Sequence, residues 1–225
     1  MQPTRTGILG GRFDPIHVGH LDAAKVARQR LTLETVLVVP SRTAPHRATP
    51  AQASNADRLA MVTLATDQHA YLEPCDVELT AEGPSYTAIT LSRLHELGHP
   101  PASLFFILGA DTFQEIATWY DYPRVLDAAH FVVVARPGHP VVPLVDTLPD
   151  VRPRMQIAPE HEVCVVPPTP TVFLLDAVTT DVSSTRVRAD VSRGTPLTRR
   201  VPTVVATYIE RHRLYERDQV GTPLA

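Results

Sequence analysis

The sequence predicts an α/β fold: a doubly wound, Rossmann-like, mostly parallel sheet with helices on both faces and a small C-terminal helical part. Three observations lead there. Short apolar, β-branched runs alternate with helix-like stretches along the chain, which is the pattern of strand–helix units wound about one sheet. Runs such as Phe105-Phe106-Ile107-Leu108 are apolar at consecutive positions, as strands covered on both faces are. The 225 residues suffice for one large domain.

The elements follow in order. Strands are predicted at 7–10, 35–39, 71–73, 104–108, 131–135 and 172–175. Helices are predicted at 18–31, 57–66, 85–97, 112–117, 122–128, 184–192 and 202–211. The first strand ends on two glycines, and two histidines stand at the entrance of the first helix. Many of the 22 prolines fall between 137 and 170, a stretch with few helical signals that reads as irregular surface chain. A single domain is expected over 1–216, with its helical part at about 183–216, followed by a flexible tail at 217–225.

Composition narrows the function. Hydrophobic residues make up 44% and charged residues 20%, with a net charge of −3. No overall field favours nucleic acid or an anionic membrane, so an anionic ligand must be met by local placement of Arg, His and N–H groups. Cys75 and Cys164 lie far apart in no metal-binding spacing, which reads as two reduced, buried thiols. No apolar run approaches 18 residues and the first five residues lack a signal-peptide core, so a cytoplasmic location and no membrane partner are expected. The oligomeric state is left open, a homodimer included.

The segment Gly10-Gly11-Arg12-Phe13-Asp14-Pro15-Ile16-His17-Val18-Gly19-His20 carries the most chemistry. It lies where the first strand passes into the first helix. Glycines let the backbone approach a ligand, Pro15 stiffens the turn, and a helix N-terminus favours anions. His17 and His20, three apart, can face one side. The pattern suits a phosphate site. A plain strand-to-helix turn with surface histidines is the alternative, and zinc a third reading for which His-x-x-His offers only two ligands.

A second constellation is Val182-Ser183-Ser184-Thr185-Arg186-Val187-Arg188. Ser and Thr cap helices well, and hydroxyls, free N–H groups and arginine at one helix start make a phosphate site. Arg186 and Arg188 point about 200° apart on a helix, so only one can face the phosphates. A capped helix with solvated arginines is the alternative. Ser41 to Arg47 form a rigid basic loop after the second strand. Ser85, Tyr86 and Thr87 open a helix. Gly109 and Asp111 follow the fourth predicted strand, where Asp111 can accept from ribose hydroxyls or cap a helix. Arg136 ends the fifth. Trp119 is the sole tryptophan, and a lone Trp is more often core than ligand platform.

The string Gly-x-Phe-Asp-Pro-x-His-x-Gly-His resembles the signature of the HxGH nucleotidyltransferases. With Gly-Gly before it, it is most similar to the nicotinate-nucleotide adenylyltransferases. Val182 to Arg188 resembles the family's Ile-Ser-Ser-Thr-x-Ile-Arg motif, which selects Arg188 over Arg186. Ala44-Pro45-His46-Arg47 resembles Pro-Pro-His-Lys, and Arg58 to Met61 an Arg-x-x-Met helix segment read as structural. Pro-Ser-Tyr-Thr, Gly-Ala-Asp and Trp119 match as well, so the resemblance spans about 7–215. Arg12 departs from it, since a small hydroxyl residue is usual there; it either adds a phosphate contact or points outward.

The resemblance implies adenylyl transfer from ATP to nicotinate mononucleotide, giving nicotinate adenine dinucleotide and pyrophosphate in NAD biosynthesis, with Mg²⁺ accompanying ATP and no protein metal site. It implies catalytic roles for His17, His20 and Arg188. It places Gly10, Gly11, Arg12, Phe13, Gly109, Asp111, Ser184 and Thr185 with them on ATP. Arg47, Ser85, Tyr86, Thr87, Trp119 and Arg136 fall on the acceptor. A carboxylate suits the helix start at Ser85–Thr87 better than a neutral amide does, which favours nicotinate over nicotinamide. Rival readings are the same chemistry on nicotinamide mononucleotide or phosphopantetheine, a nucleotide-binding regulatory module, and a fragment related to class I tRNA synthetases. The last lacks an evident Lys-Met-Ser-Lys-Ser segment.

Overall fold

The computed structural model describes residues 4–44, 49–158 and 162–216. Seven strands form one sheet: β1 (Thr6–Gly11), β2 (Thr35–Pro40), β3 (Leu72–Pro74), β4 (Leu104–Gly109), β5 (His130–Val134), β6 (Met155–Ile157) and β7 (Val172–Leu175). Their order is β3-β2-β1-β4-β5-β7-β6, and every pairing is parallel. The winding reverses between β1, which pairs with β2 on one side and β4 on the other, and β4 itself. In such a sheet the crevice beyond the carboxyl ends of the two central strands is where ligands bind.

Helices cover both faces: α1 (Val18–Leu31), α2 (Asn55–Thr66), α3 (Thr87–Glu96), α4 (Ala110–Phe113), α5 (Leu144–Thr147), α6 (Ser184–Ser192) and α7 (Thr203–Arg211). The central strands divide their side chains between two cores. Phe105 and Ile107 of β4 join Leu9, Leu31, Val62, Val187 and Ile209 on one face. Phe106 and Leu108 join Ile8, Leu91, Phe131 and Leu144 on the other. The consecutive apolar run in β4 is thus the sum of two alternating sets, each buried in its own core. The C-terminal helices α6 and α7 pack into the first of these cores through Val187, Val205 and Ile209.

Three expectations shift. Residues 112–117 and 122–128 do not form two regular helices. They fold as α4 and two 3₁₀ turns, Ile116–Thr118 and Arg124–Asp127. Helix α3 begins at Thr87 rather than at 85, because the Ser85 N–H donates to Thr43 O at 3.0 Å and holds that residue in extended pairing. The stretch 137–170 is not simply surface chain. Val141, Leu144 and Val151 are buried in the second core, and Met155–Ile157 adds the edge strand β6. Three residues are too few for a period of two to be read. No helix is long and apolar enough to cross a membrane among the described residues.

Candidate active site

The crevice beyond β1 and β4 is lined by the turn that joins β1 to α1. Neither Gly10 nor Gly11 has a positive φ, so their role is space rather than flexibility. A Cβ at Gly10 would sit 3.2 Å from the Phe106 ring, and one at Gly11 3.1 Å from the Phe13 ring. Phe13 takes φ 47 and is buried, a left-handed turn held by its packing.

His17 is the N-cap residue of α1. Its backbone N–H donates to His20 Nδ1 at 3.2 Å. That bond leaves the proton of a neutral His20 on Nε2, as a donor. The two rings stack with centroids 3.6 Å apart, and Phe13 meets the His20 ring edge-on at 4.9 Å. Gly19 makes room here, since a Cβ would lie 3.1 Å from Thr180 O and 3.3 Å from His17 Nδ1.

Burial, then the nearby charge of Arg136, holds His17 down at about 3. Burial, the His17 ring and Arg136 hold His20 well below the usual imidazole value. Both are therefore neutral at physiological pH in the free protein. His17 Nδ1 is buried without a hydrogen-bond partner among the described residues.

Helix α6 brings the second constellation onto this turn. Ser183 caps the helix by accepting from the Arg186 N–H at 3.2 Å. Ser184 Oγ donates to Pro15 O at 2.9 Å. Arg188 Nη1 donates to Asp14 O at 2.7 Å and lies 3.8 Å from Asp14 Oδ2, while its Nη2 reaches Thr185 Oγ1 at 3.3 Å. Arg186 is exposed and lies 4.0 Å from Asp181. Of the two arginines, Arg188 is the one that joins the histidine turn. Asp22 of α1 pins the approach to α6 by accepting from the Thr180 N–H at 3.0 Å and from its hydroxyl.

At the ends of β4 and β5, Asp111 Oδ2 lies 3.5 Å from Arg136 Nη1. A Cβ at Gly109 would collide with Asp111 Oδ1 and come within 2.9 Å of Arg136 Cδ, so glycine is required for these two side chains to meet. Arg136, expected with the acceptor group, pairs with Asp111 and acts electrostatically on both histidines. Its position two residues beyond β5, next to β4 in the sheet, puts it there.

The groups expected to hold an acceptor gather around the start of α3. Ser85 Oγ accepts from the Arg42 N–H at 2.9 Å. Tyr86 caps α3 and stacks on Tyr120 at 4.7 Å, and Thr87 is the first helical residue. Trp119 is partly buried, edge-on to Phe106 at 6.1 Å and to Phe131 at 6.5 Å. Arg47 lies outside the described residues.

A cleft of about 410 Å³ adjoins this region, lined among others by Arg12, Ser41, Arg42, Thr43, Asn55 and Arg58. Arg12, expected on ATP, lies on its wall and donates to Thr49 O at 2.7 Å and Pro50 O at 3.5 Å. Its long side chain carries the charge away from its own backbone and toward this loop. Ser41 Oγ, in the same wall, is buried without a partner among the described residues.

Sequence reasoning singled out neither Asp14 nor Tyr215 as site residues, and it took Arg58 as structural. The Asp14 carboxylate accepts from Gln52 N at 2.9 Å, Ala53 N at 3.0 Å and Tyr215 Oη at 2.9 Å. Arg58 is fully buried and donates to Arg12 O and Asn55 Oδ1. Tyr215 is 201 residues from Asp14, so no local spacing could have paired them. Asp14 stands inside the quoted turn, but an acidic residue among apolar ones carries no spacing that names its partners. The described residues contain no group of three or more His, Cys, Asp or Glu suited to a metal ion.

A model of the cytidylyltransferase-like family matches residues 8–190. A protein of Desulfitobacterium hafniense named "Probable nicotinate-nucleotide adenylyltransferase" is 38% identical over 213 residues, covering 95% of this chain and 96% of its own. The chain belongs to the cytidylyltransferase-like family, among the nicotinate-nucleotide adenylyltransferases. A protein of the same name from Roseiflexus castenholzii is 38% identical over 215 residues, covering 96% of this chain and all of its own. Among solved structures, the Plasmodium falciparum nicotinic acid mononucleotide adenylyltransferase complexed with NaAD superposes with a TM-score of 0.69. It covers 95% of this chain and 98% of that one. At 16% identity, this likeness concerns the fold.

The neutral histidines have a measurable signature. In the unfolded chain His17 titrates near 6.5, and in the folded one near 3. The unfolded state therefore binds more protons between these values, and stability is lost as pH falls from about 6.5 toward 3. ¹⁵N imidazole NMR of the unliganded protein should show His17 neutral at pH 5. A midpoint near 6.5 for His17 would contradict its burial.

Proposed function

We propose that this chain transfers the adenylyl group of ATP to nicotinate mononucleotide. A phosphate oxygen of the mononucleotide attacks the α-phosphorus, the bond from that phosphorus to the bridging oxygen of the β-phosphate breaks, and pyrophosphate leaves. The products are nicotinate adenine dinucleotide and pyrophosphate. The observation that carries this reading is the docking of Ser184 and Arg188 onto the Asp14–Pro15 backbone. It makes one crevice of two motifs through contacts between residues 169 and 174 apart in the chain.

The attacking oxygen is already anionic at neutral pH, so neither a strong base nor a nucleophilic side chain is needed. Catalysis is positioning and charge stabilisation. His17 and His20 take the α- and β-phosphates, with His20 donating from Nε2 as charge grows on the transferring group. Ser184, Thr185 and Arg188 take the β- and γ-phosphates and the departing pyrophosphate. Gly109 and Asp111 serve the nucleoside, and Arg136, paired with Asp111, adds positive charge beside the histidines. Mg²⁺ enters with ATP, held by phosphate oxygens and water.

The acceptor lies toward α3. Ser85, Tyr86 and Thr87 present the helix start to the nicotinate carboxylate, Trp119 borders the ring, Arg47 adds charge on the acceptor side, and Arg12, in the turn after β1, adds charge toward ATP. The helix start favours a carboxylate over an amide.

Side-by-side turnover with ATP and each of nicotinate mononucleotide, nicotinamide mononucleotide and phosphopantetheine tests the reaction. Pyrophosphate release should be fastest with nicotinate mononucleotide; faster turnover of either other acceptor overturns the assignment. ATP binding with no pyrophosphate release from any of them would make the chain a binding module.

The role of His20 is checked separately. His20→Ala should lower kcat by roughly 10²–10³-fold, as loss of a donor to a developing charge does, with the ATP Kd changed only a few-fold. A near-normal kcat would remove His20 from the transition state.

A further inference from the structure

Glu78 is buried and lies between β3 and α3, in a stretch without regular structure. Its Oε1 accepts from the Thr90 hydroxyl at 2.6 Å, and its carboxyl also accepts from the Ser85 hydroxyl. Thr90 lies one turn into α3 and is itself buried. Ser85 stands just ahead of the helix and is the residue that ties α3 to the loop after β2. Its Oγ accepts from Arg42 N–H, and its own N–H donates to Thr43 O.

A hydroxyl has one proton to give. With that proton directed at Glu78, the Ser85 lone pairs are turned toward the Arg42 N–H. The three residues thus form a relay, Glu78 to Ser85 to Arg42, that fixes the distance between two walls. One wall is the start of α3. The other is the Arg42–Thr43 end of the β2 loop, which lines the cleft with Arg12.

We propose that Glu78 is a positioning residue for the acceptor, holding Ser85 and Thr90 so that the start of α3 and the Arg42–Thr43 wall stay at the spacing the mononucleotide needs. The inference rests on the acceptor site proposed above. Glu78 touches neither ATP groups nor the histidines; its charged neighbours are Arg93 of α3 and Arg58 of α2. Burial pushes its carboxyl above the usual range, while the hydrogen bonds from Thr90 and Ser85 pull it back.

The test is steady-state kinetics on Glu78→Ala and Glu78→Gln, with each substrate varied in turn and folding checked by thermal melting. Glu78→Ala should raise the KM for nicotinate mononucleotide by about tenfold, the scale of a lost hydrogen bond to a charged group. kcat and the KM for ATP should stay within twofold. Glu78→Gln, which keeps an acceptor oxygen in place, should recover most of the acceptor KM.

An unchanged acceptor KM in folded Glu78→Ala overturns the proposal, as does a fall in kcat with both KM values moving together. If Glu78→Ala does not fold, Glu78→Asp, which withdraws the acceptor oxygens by one methylene, must show the same selective rise in acceptor KM. Failure of the wild-type protein to use nicotinate mononucleotide would instead strike the reading of the reaction.

Discussion

Asp14 is where three distant parts of the chain meet. Its carboxylate is 1% exposed, and a buried carboxylate is tolerated only when its oxygens are hydrogen-bonded. Gln52 and Ala53 supply backbone donors from the segment before α2, Tyr215 a phenol from the end of the described chain, and Arg188 a guanidinium from α6. Burial and the Asp14 charge push the Tyr215 phenol well above its ordinary value, so it is a permanent donor. The Asp14 backbone carbonyl also accepts from Arg188. One position therefore sets the histidine turn, the wall of the cleft and the second phosphate motif relative to one another.

The electrostatics of the crevice follow from that closeness. Arg136 and two stacked imidazoles share a small space, and burial keeps the imidazoles neutral. Two protonated rings at 3.6 Å would repel each other and Arg136. As neutral donors they cost little in the free protein, and in the proposed reaction each offers an N–H to a phosphate. The proposed reaction brings the polyphosphate's negative charge beside Arg136 and Arg188, which in the free protein face Asp111 and Asp14. Transition-state stabilisation then comes from groups already in place, the condition under which such donors are most effective.

The fold and the two phosphate motifs were legible because they are local. Strand–helix alternation, glycines at a strand end and a hydroxyl-rich helix cap are readable within ten residues. The choice of Arg188 over Arg186 followed from helical pitch and the resemblance, and the structure sets Arg188 against Asp14. What stayed hidden is what depends on distance. The strand end that carries Arg136 is legible, but not the Asp111 beside it. Arg12 was assigned to ATP by its place in the motif, while its guanidinium follows the carbonyls of Thr49 and Pro50. The glycines of the turn read as places where the backbone can approach a ligand; that they also leave room for Phe106 and Phe13 depends on contacts the sequence does not show. Asp14, Tyr215 and Glu78 carry no period or spacing that names their partners.

A double-mutant cycle on Asp14→Asn and Tyr215→Phe, measured by urea unfolding, examines whether Asp14 joins the ends of the chain. The two changes should be strongly non-additive, with a coupling of about 1–3 kcal/mol, as residues sharing one buried network show. Additive effects within about 0.5 kcal/mol would mean that Tyr215 does not depend on the Asp14 carboxylate, and that the turn is held by other means.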